Sequence, residues 1–210
     1  SRERFGSFGF VHGILDDTLT QGFVETMSAK GAFYIPCFSA FEFLANTQRF
    51  MQHAMSDYRV QPAIAESLHN AYVSRDYADH YRALYPNSAF VDSHLAVLRK
   101  NCKNLSGNHV PIVLGTDMPA LPGYAAHLEL EYLVQAGMTP MEAIVSATRT
   151  GARFLGRESA IGTIEAGKQA DILILNDDPE QNILATRSVM KIIKQGTIYD
   201  HKLLIQESKQ

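Results

Sequence analysis

The chain has 210 residues, of which 46% are apolar and 20% charged, with 14 Gly and 8 Pro. That composition supports a packed core and excludes collagen-like and disordered classes. With 19 Lys and Arg against 22 Asp and Glu the net charge is −3, too weak and too scattered to hold a nucleic-acid backbone or an anionic membrane surface. No apolar stretch approaches the roughly 20 residues of a spanning helix, and Ser1-Arg2-Glu3-Arg4 lacks the apolar segment of a secretory signal. Nucleic acid and membrane are therefore not expected partners. Cys37 and Cys102 show no CxxC spacing and are expected as free thiols, which favours a reducing, cytoplasmic compartment.

The first element is the short apolar run Phe8-Gly9-Phe10-Val11-His12, stopped by Gly13, which suits a buried strand ending in a histidine. Leu15, Leu19, Phe23 and Met27 then recur at every fourth position, with Gly31 behind them, and predict a helix with a glycine C-cap. Ala32 to Pro36 is aromatic and β-branched and reads as a second strand. From Cys37 to Gly107 the pattern is mostly helical, beginning with the aromatic group Phe38, Phe41, Phe43 and Phe50, which suits either a substrate pocket or core packing.

Val110-Pro111-Ile112-Val113-Leu114 is the clearest strand and ends in Gly115-Thr116-Asp117. A helix is predicted over 124–136, followed by Gly137. The next opens on Thr139-Pro140-Met141-Glu142, which combines an N-cap, a proline at the first helical position and a capping-box glutamate, and it runs to about Leu155. Beyond Gly156 the pattern turns to β. Ile161 and Ile164, with the turn at 165–168 and the strand from Ala170 to Leu175, predict one hairpin; residues 189–199, turning at Gln195-Gly196, predict another. Apolar strands alternating with helices indicate an α/β architecture with a parallel sheet, whose chemistry gathers at the strands' C-terminal ends. His12 and Asp117 both fall there.

Several of these stretches, in this order, carry a resemblance: Val11-His12-Gly13; Met27 to Gly31 with Ile35-Pro36; Gly115-Thr116-Asp117; Ala136 to Ala143; and Ile161-Gly162-Thr163-Ile164-Glu165-Ala166-Gly167-Lys168-Gln169-Ala170-Asp171. The set resembles the amidohydrolase superfamily, in particular its imidazolonepropionase-like and Xaa-Pro dipeptidase-like metal-dependent hydrolases. The resemblance implies a (β/α)8 TIM barrel with a small β sandwich, the three parallel strands here being barrel strands 6 to 8. A full barrel takes roughly 250 residues, so about five βα units are expected upstream of Ser1. With them would come the family's first-strand His-x-His pair, which occurs nowhere in this sequence. The expected division is a partial barrel over 1–157 and a sandwich segment over 158–210.

The same resemblance implies a divalent metal, usually zinc, one ion or two. Asp117 would be the eighth-strand aspartate, a metal ligand and the catalytic group that takes a proton from water and passes it to the leaving nitrogen. His12 would be the sixth-strand histidine, a metal ligand. Family members often carry an acidic residue before this histidine, whereas Val11 stands here. On the residues alone, Asp117 also suits a turn cap and His12 a packed core position. His127 and Glu129, just beyond the Asp117 loop, are expected on the helix surface, with a role in orienting Asp117 or the substrate as the alternative. His109 precedes its strand and belongs at the opposite end of the sheet from the chemistry. Residues 118–123, stiffened by two prolines, are a candidate pocket wall.

The expected function is hydrolysis of a carbon–nitrogen bond in a cyclic amide or dipeptide-like small molecule, by an enzyme of which this chain is the C-terminal portion, with a homo-oligomer as a candidate assembly. The competing expectation is a truncated, noncatalytic relative used for binding.

Overall fold

The computed structural model describes residues 8–45, 47–56, 88–118 and 121–200. Residues 57–87 of the predicted helical segment and Pro119-Ala120 of the predicted pocket wall lie outside them. Strand β1 (Gly9–Val11) runs parallel to β2 (Phe33–Ile35), Gly9 opposite Phe33 and Val11 opposite Ile35. The crossover between them contains α1 (Gln21–Ala29). This helix is shorter than the four-residue recurrence suggests. Thr20 is its N-cap, accepting from Phe23 N at 3.4 Å, and Leu15 and Leu19 pack on the core from a loop.

The segment 110–114 lies on the far side of β2. Tyr34 N donates to Pro111 O at 3.0 Å and Val113 N to Tyr34 O at 2.9 Å, which makes a single parallel bridge between Tyr34 and Ile112. The ladder goes no further because its next bond would need an N–H at Pro36, which has none; on the opposite edge Leu114 N donates to Ser146 O, in a following helix, at 3.3 Å. The sheet order is therefore β1, β2 and the 110–114 segment, with β2 central.

Helices fill the spaces between these strands: α2 (Phe38–Ala45), α3 (Thr47–Ser56), α4 (Ser88–Gly107), α5 (Pro122–Gln135), α6 (Pro140–Ala147) and α7 (Arg149–Phe154). The capping box at Thr139 and Glu142 forms as its sequence predicts. The single helix expected from Pro140 to Leu155 is instead two. Thr148, at φ −119° and ψ −91°, leaves the helical region, and its hydroxyl donates back to Ile144 O at 2.8 Å. Among the described residues no helix is long and apolar enough to cross a membrane.

The core lies on both faces of the short parallel layer. Val24, Met27, Leu95, Leu98, Leu105 and Leu133 form one side; Phe33, Ile35, Phe43, Phe50 and Met51 form the other. Each such side chain contributes about 1.5–3 kcal/mol by leaving water. Phe38, Phe43 and Phe50 are fully buried here, so the aromatic group after β2 is core rather than pocket lining.

The C-terminal region is antiparallel. Strand β3 (Ile172–Leu175) pairs with β4 (Val189–Lys194), which pairs with β5 (Thr197–Asp200). The hairpin expected between Ile161–Ile164 and Ala170–Leu175 does not form. Residues 161–164 are irregular, and β4, arriving after a 3-10 turn at Ile183–Arg187, takes the place beside β3. The predicted β4–β5 hairpin is present. Gln195 and Gly196 have φ of 51° and 81°, the paired positive values a two-residue primed turn requires.

Candidate active site

At the C-terminal ends of the parallel segments three non-glycine residues have positive φ: His12 at 67°, Cys37 at 56° and Asp117 at 49°. Left-handed backbone costs an L-residue roughly 1–2 kcal/mol, and such residues persist where the surrounding structure over-determines them. Close packing does so here. A Cβ on Gly13 would sit 2.0 Å from Leu98 Cδ1, and one on Gly115 would sit 2.5 Å from Ile35 Cγ2. Both glycines are required for the chain to leave the layer this tightly.

The two sequence-predicted site residues meet. His12 Nδ1 lies 3.6 Å from Asp117 Oδ2, although β2 separates the segments that carry them. Both side chains remain more than half exposed, at 56% and 59%. The separation is too long for a hydrogen bond. It matches two donors of one tetrahedral zinc, whose bonds of about 2.0–2.2 Å set ligand atoms about 3.3–3.6 Å apart. An imidazole nitrogen and a carboxylate oxygen thus fit as part of a metal's ligand set. They do not complete one: among the described residues no group of three or more His, Cys, Asp or Glu is placed to hold a metal.

Buried polar groups fix the backbone around this pair. After His12, Asn101 on α4 donates through Nδ2 to Ile14 O at 3.0 Å and Asp17 O at 2.9 Å, and its Oδ1 accepts from Leu19 N at 2.9 Å. The Tyr34 hydroxyl accepts from Ile14 N at 3.3 Å, and burial raises its pKa, so it stays neutral. Between the pair, Cys37 is buried; desolvation, reinforced by the charge of Glu129, pushes its thiol up to about 12, so it carries no charge. After β2, Glu129 on α5 accepts from Phe38 N at 2.9 Å, Ser39 N at 2.8 Å and Ser39 Oγ at 2.9 Å. Burial raises its carboxyl to about 7, against the opposing pull of the Ser39 and Phe38 donors.

Glu129 is therefore buried, where the sequence reading put it on the surface. The signal was present: Ala125, Glu129, Leu133 and Ala136 are all buried and share one stripe of α5. His127 is half-buried and turned away from the site, its Nδ1 3.0 Å from Thr186 Oγ1. Arg187 pairs with Glu131 and lies over the Tyr124 ring, so the 3-10 turn holds the helix that follows Asp117. His109 is exposed at the start of its segment, as expected.

A sequence model of the amidohydrolase family matches residues 46–200, well over half of the chain. This chain belongs to the amidohydrolase family. Its relatives include the imidazolonepropionase of Geobacillus thermodenitrificans (strain NG80-2), 31% identical over 134 residues that cover 60% of this chain and 29% of that protein. Ochratoxinase of Aspergillus niger is 34% identical over 116 residues, 53% of this chain and 23% of that one. Among solved amidohydrolase-like structures, a Xaa-Pro dipeptidase with bound methionine superposes with a TM-score of 0.64 at 24% identity, over 92% of this chain and 40% of the other. The Aspergillus niger ochratoxinase structure gives 0.61 at 25% identity, over 93% and 38%. The chain thus has the mixed helix and strand fold of these amidohydrolases and spans less than half the length of each.

Proposed function

We propose that this chain is the C-terminal part of a metal-dependent amidohydrolase that hydrolyses a carbon–nitrogen bond in a cyclic amide or dipeptide-like small molecule. In that reading β1, β2 and the 110–114 segment are strands 6 to 8 of a (β/α)8 barrel occupying residues 1–157. Residues 158–210 then belong to a small β sandwich. The observation that carries the reading is the 3.6 Å approach of His12 Nδ1 to Asp117 Oδ2 across the end of β2. Relatives named imidazolonepropionase, ochratoxinase and Xaa-Pro dipeptidase support the substrate class.

His12 Nδ1 and Asp117 Oδ2 would hold a divalent cation, zinc by their donor chemistry, together with ligands from outside the described residues. Such a cation supplies Lewis acidity at the scissile carbonyl and acidifies water. The Asp117 carboxylate would then be the proton carrier, taking a proton from the attacking water and returning it to the leaving nitrogen. The exposure of both side chains leaves room for substrate between them and the remaining wall of the site.

A second reading, a noncatalytic binding relative, draws on the incomplete ligand set among the described residues. One experiment separates the two. In the natural full-length protein, assayed with zinc against cyclic amides, N-acyl amino acids and Xaa-Pro dipeptides, Asp117→Asn should lower turnover about 10²–10⁴-fold while leaving the circular dichroism spectrum unchanged. Turnover surviving that substitution, or absent from the parent protein, removes the hydrolase reading.

A further inference from the structure

Glu129 presents a problem of stability. A fully buried carboxylate carries a desolvation cost that a methionine or leucine of similar volume would not. Core filling therefore does not account for it. Its three hydrogen bonds all go to one place, the first turn of α2, where the Phe38 and Ser39 N–H groups and the helix dipole favour negative charge. That turn begins directly after Cys37, the positive-φ residue ending the central strand between His12 and Asp117.

Ser39 extends the connection. Its hydroxyl, fully buried, sits 2.9 Å from Glu129 Oε2 and 3.4 Å from Thr116 O. The stronger branch of this three-centre arrangement goes to the carboxylate. The weaker reaches the carbonyl of the peptide that joins Thr116 to Asp117.

We propose that Glu129 and Ser39 are positioning residues for Asp117: Glu129 anchors the turn at the end of β2, and Ser39 Oγ ties that turn to the Thr116–Asp117 peptide. The inference rests on the assignment of Asp117 as the metal-binding proton carrier. It adds the means by which an exposed carboxylate, on a loop that leaves its strand after a single bridge, is kept beside His12. Neither residue touches substrate or metal.

The test uses the full-length protein with Ser39→Ala, Glu129→Gln and Asp117→Asn. Ser39→Ala keeps both backbone bonds to Glu129 and removes the two made by the hydroxyl, to Glu129 Oε2 and to Thr116 O. Glu129→Gln keeps volume and places an NH2 group opposite at least one N–H donor. Substituted with Co²⁺, each variant is read by its visible absorption, its Co²⁺ affinity, and kcat and KM. The expected result for Ser39→Ala and Glu129→Gln is a 10- to 100-fold loss in Co²⁺ affinity or kcat, about the range for groups that orient a ligand from behind. KM should stay within about twofold, and the absorption bands should shift. If both variants fold and match the parent in spectrum, affinity and kcat while Asp117→Asn is dead, the positioning role is wrong and the hydrolase reading stands. If Asp117→Asn itself keeps parental affinity and turnover, both fall.

Discussion

Asn101 in the parallel layer and Asp171 in the antiparallel unit each make three hydrogen bonds, and the contrast between them shows how differently the two regions are held together. The partners of Asn101 lie 82 to 87 residues away, and the side chain is fully buried. Asp171 accepts from Gln195 N at 2.8 Å, Lys194 Nζ at 2.6 Å and Gln169 Nε2 at 2.7 Å, partners 2 to 24 residues away at an exposed position. One clamp joins distant parts of the chain through a buried side chain; the other ties a local hairpin at an exposed one. The residues of the candidate site belong to the first regime. Their strained backbones need neighbours brought in from elsewhere, whereas the strained Gln195 needs only its own turn.

The largest effect expected from this contrast is at Asn101. Asn101→Ala removes the partner of two part-buried carbonyls and one N–H in the loop after His12, and each group left unsatisfied costs about 1–3 kcal/mol. Urea unfolding of the natural full-length protein should show a loss of that order, insensitive to salt. A loss well below about 1 kcal/mol would mean that water takes over the bonds that Asn101 makes.

Asp171→Ala should cost less, and its cost should shrink as salt rises. The Lys194 and Gln195 donors hold the Asp171 carboxyl down at about 2, below its ordinary 3.8. A carboxylate depressed in the folded state adds stability that is complete above the unfolded value and is lost as pH falls through the folded one. The difference between parent and variant should therefore be constant above about pH 5 and vanish towards pH 2. Melting curves across that range check it, and a difference that grows on acidification contradicts it.

The smallest effect, and the one with opposite sign, is at Gln195. Replacing it by Asn creates the Asn-Gly pair that primed two-residue turns favour and relieves a positive φ of 51°. A gain of about 0.5 kcal/mol is expected, read as a raised melting temperature with unchanged activity. No gain would mean that the bond from Gln195 N to Asp171, rather than the turn conformation, sets the hairpin's stability.

The legible parts of the sequence were those set by local chemistry. Gly31, Gly137, the Thr139 capping box and the Gln195-Gly196 turn stand where their residue types require. The places of His12 and Asp117 just beyond apolar extended segments were legible too, although β1, expected to be buried, is exposed at Phe10 and Val11, and the segment before Asp117 pairs through one bridge alone. What failed depended on partners remote in sequence. Residues 14–19 carry a helical recurrence, yet Asn101 and Tyr34 hold them as a loop. Residues 161–164 look like a strand, yet β4 supplies a longer apolar partner for β3.

Glu129 and Asn101 teach the same lesson from the helices. Each is a polar residue on an otherwise apolar stripe, Ala125-Glu129-Leu133 on α5 and Leu98-Asn101-Cys102-Leu105 on α4. The stripe tells which face turns inward, but not whether a polar group there has a partner, since its donors and acceptors arrive from segments tens of residues away.

By itself, then, the sequence determined the alternation of apolar segments and helices up to Gly156, the Thr139 capping box, the Gln195-Gly196 turn and the family to which the chain belongs, because those follow from side-chain pattern and backbone preference over a few residues. The tertiary structure alone decided that an imidazole and a carboxylate separated by 105 positions come within 3.6 Å. It also decided that buried Asn101, Ser39 and Glu129 brace the backbone around them. Such distances depend on how the sheet curves and which buried polar groups find each other, and no local preference encodes either.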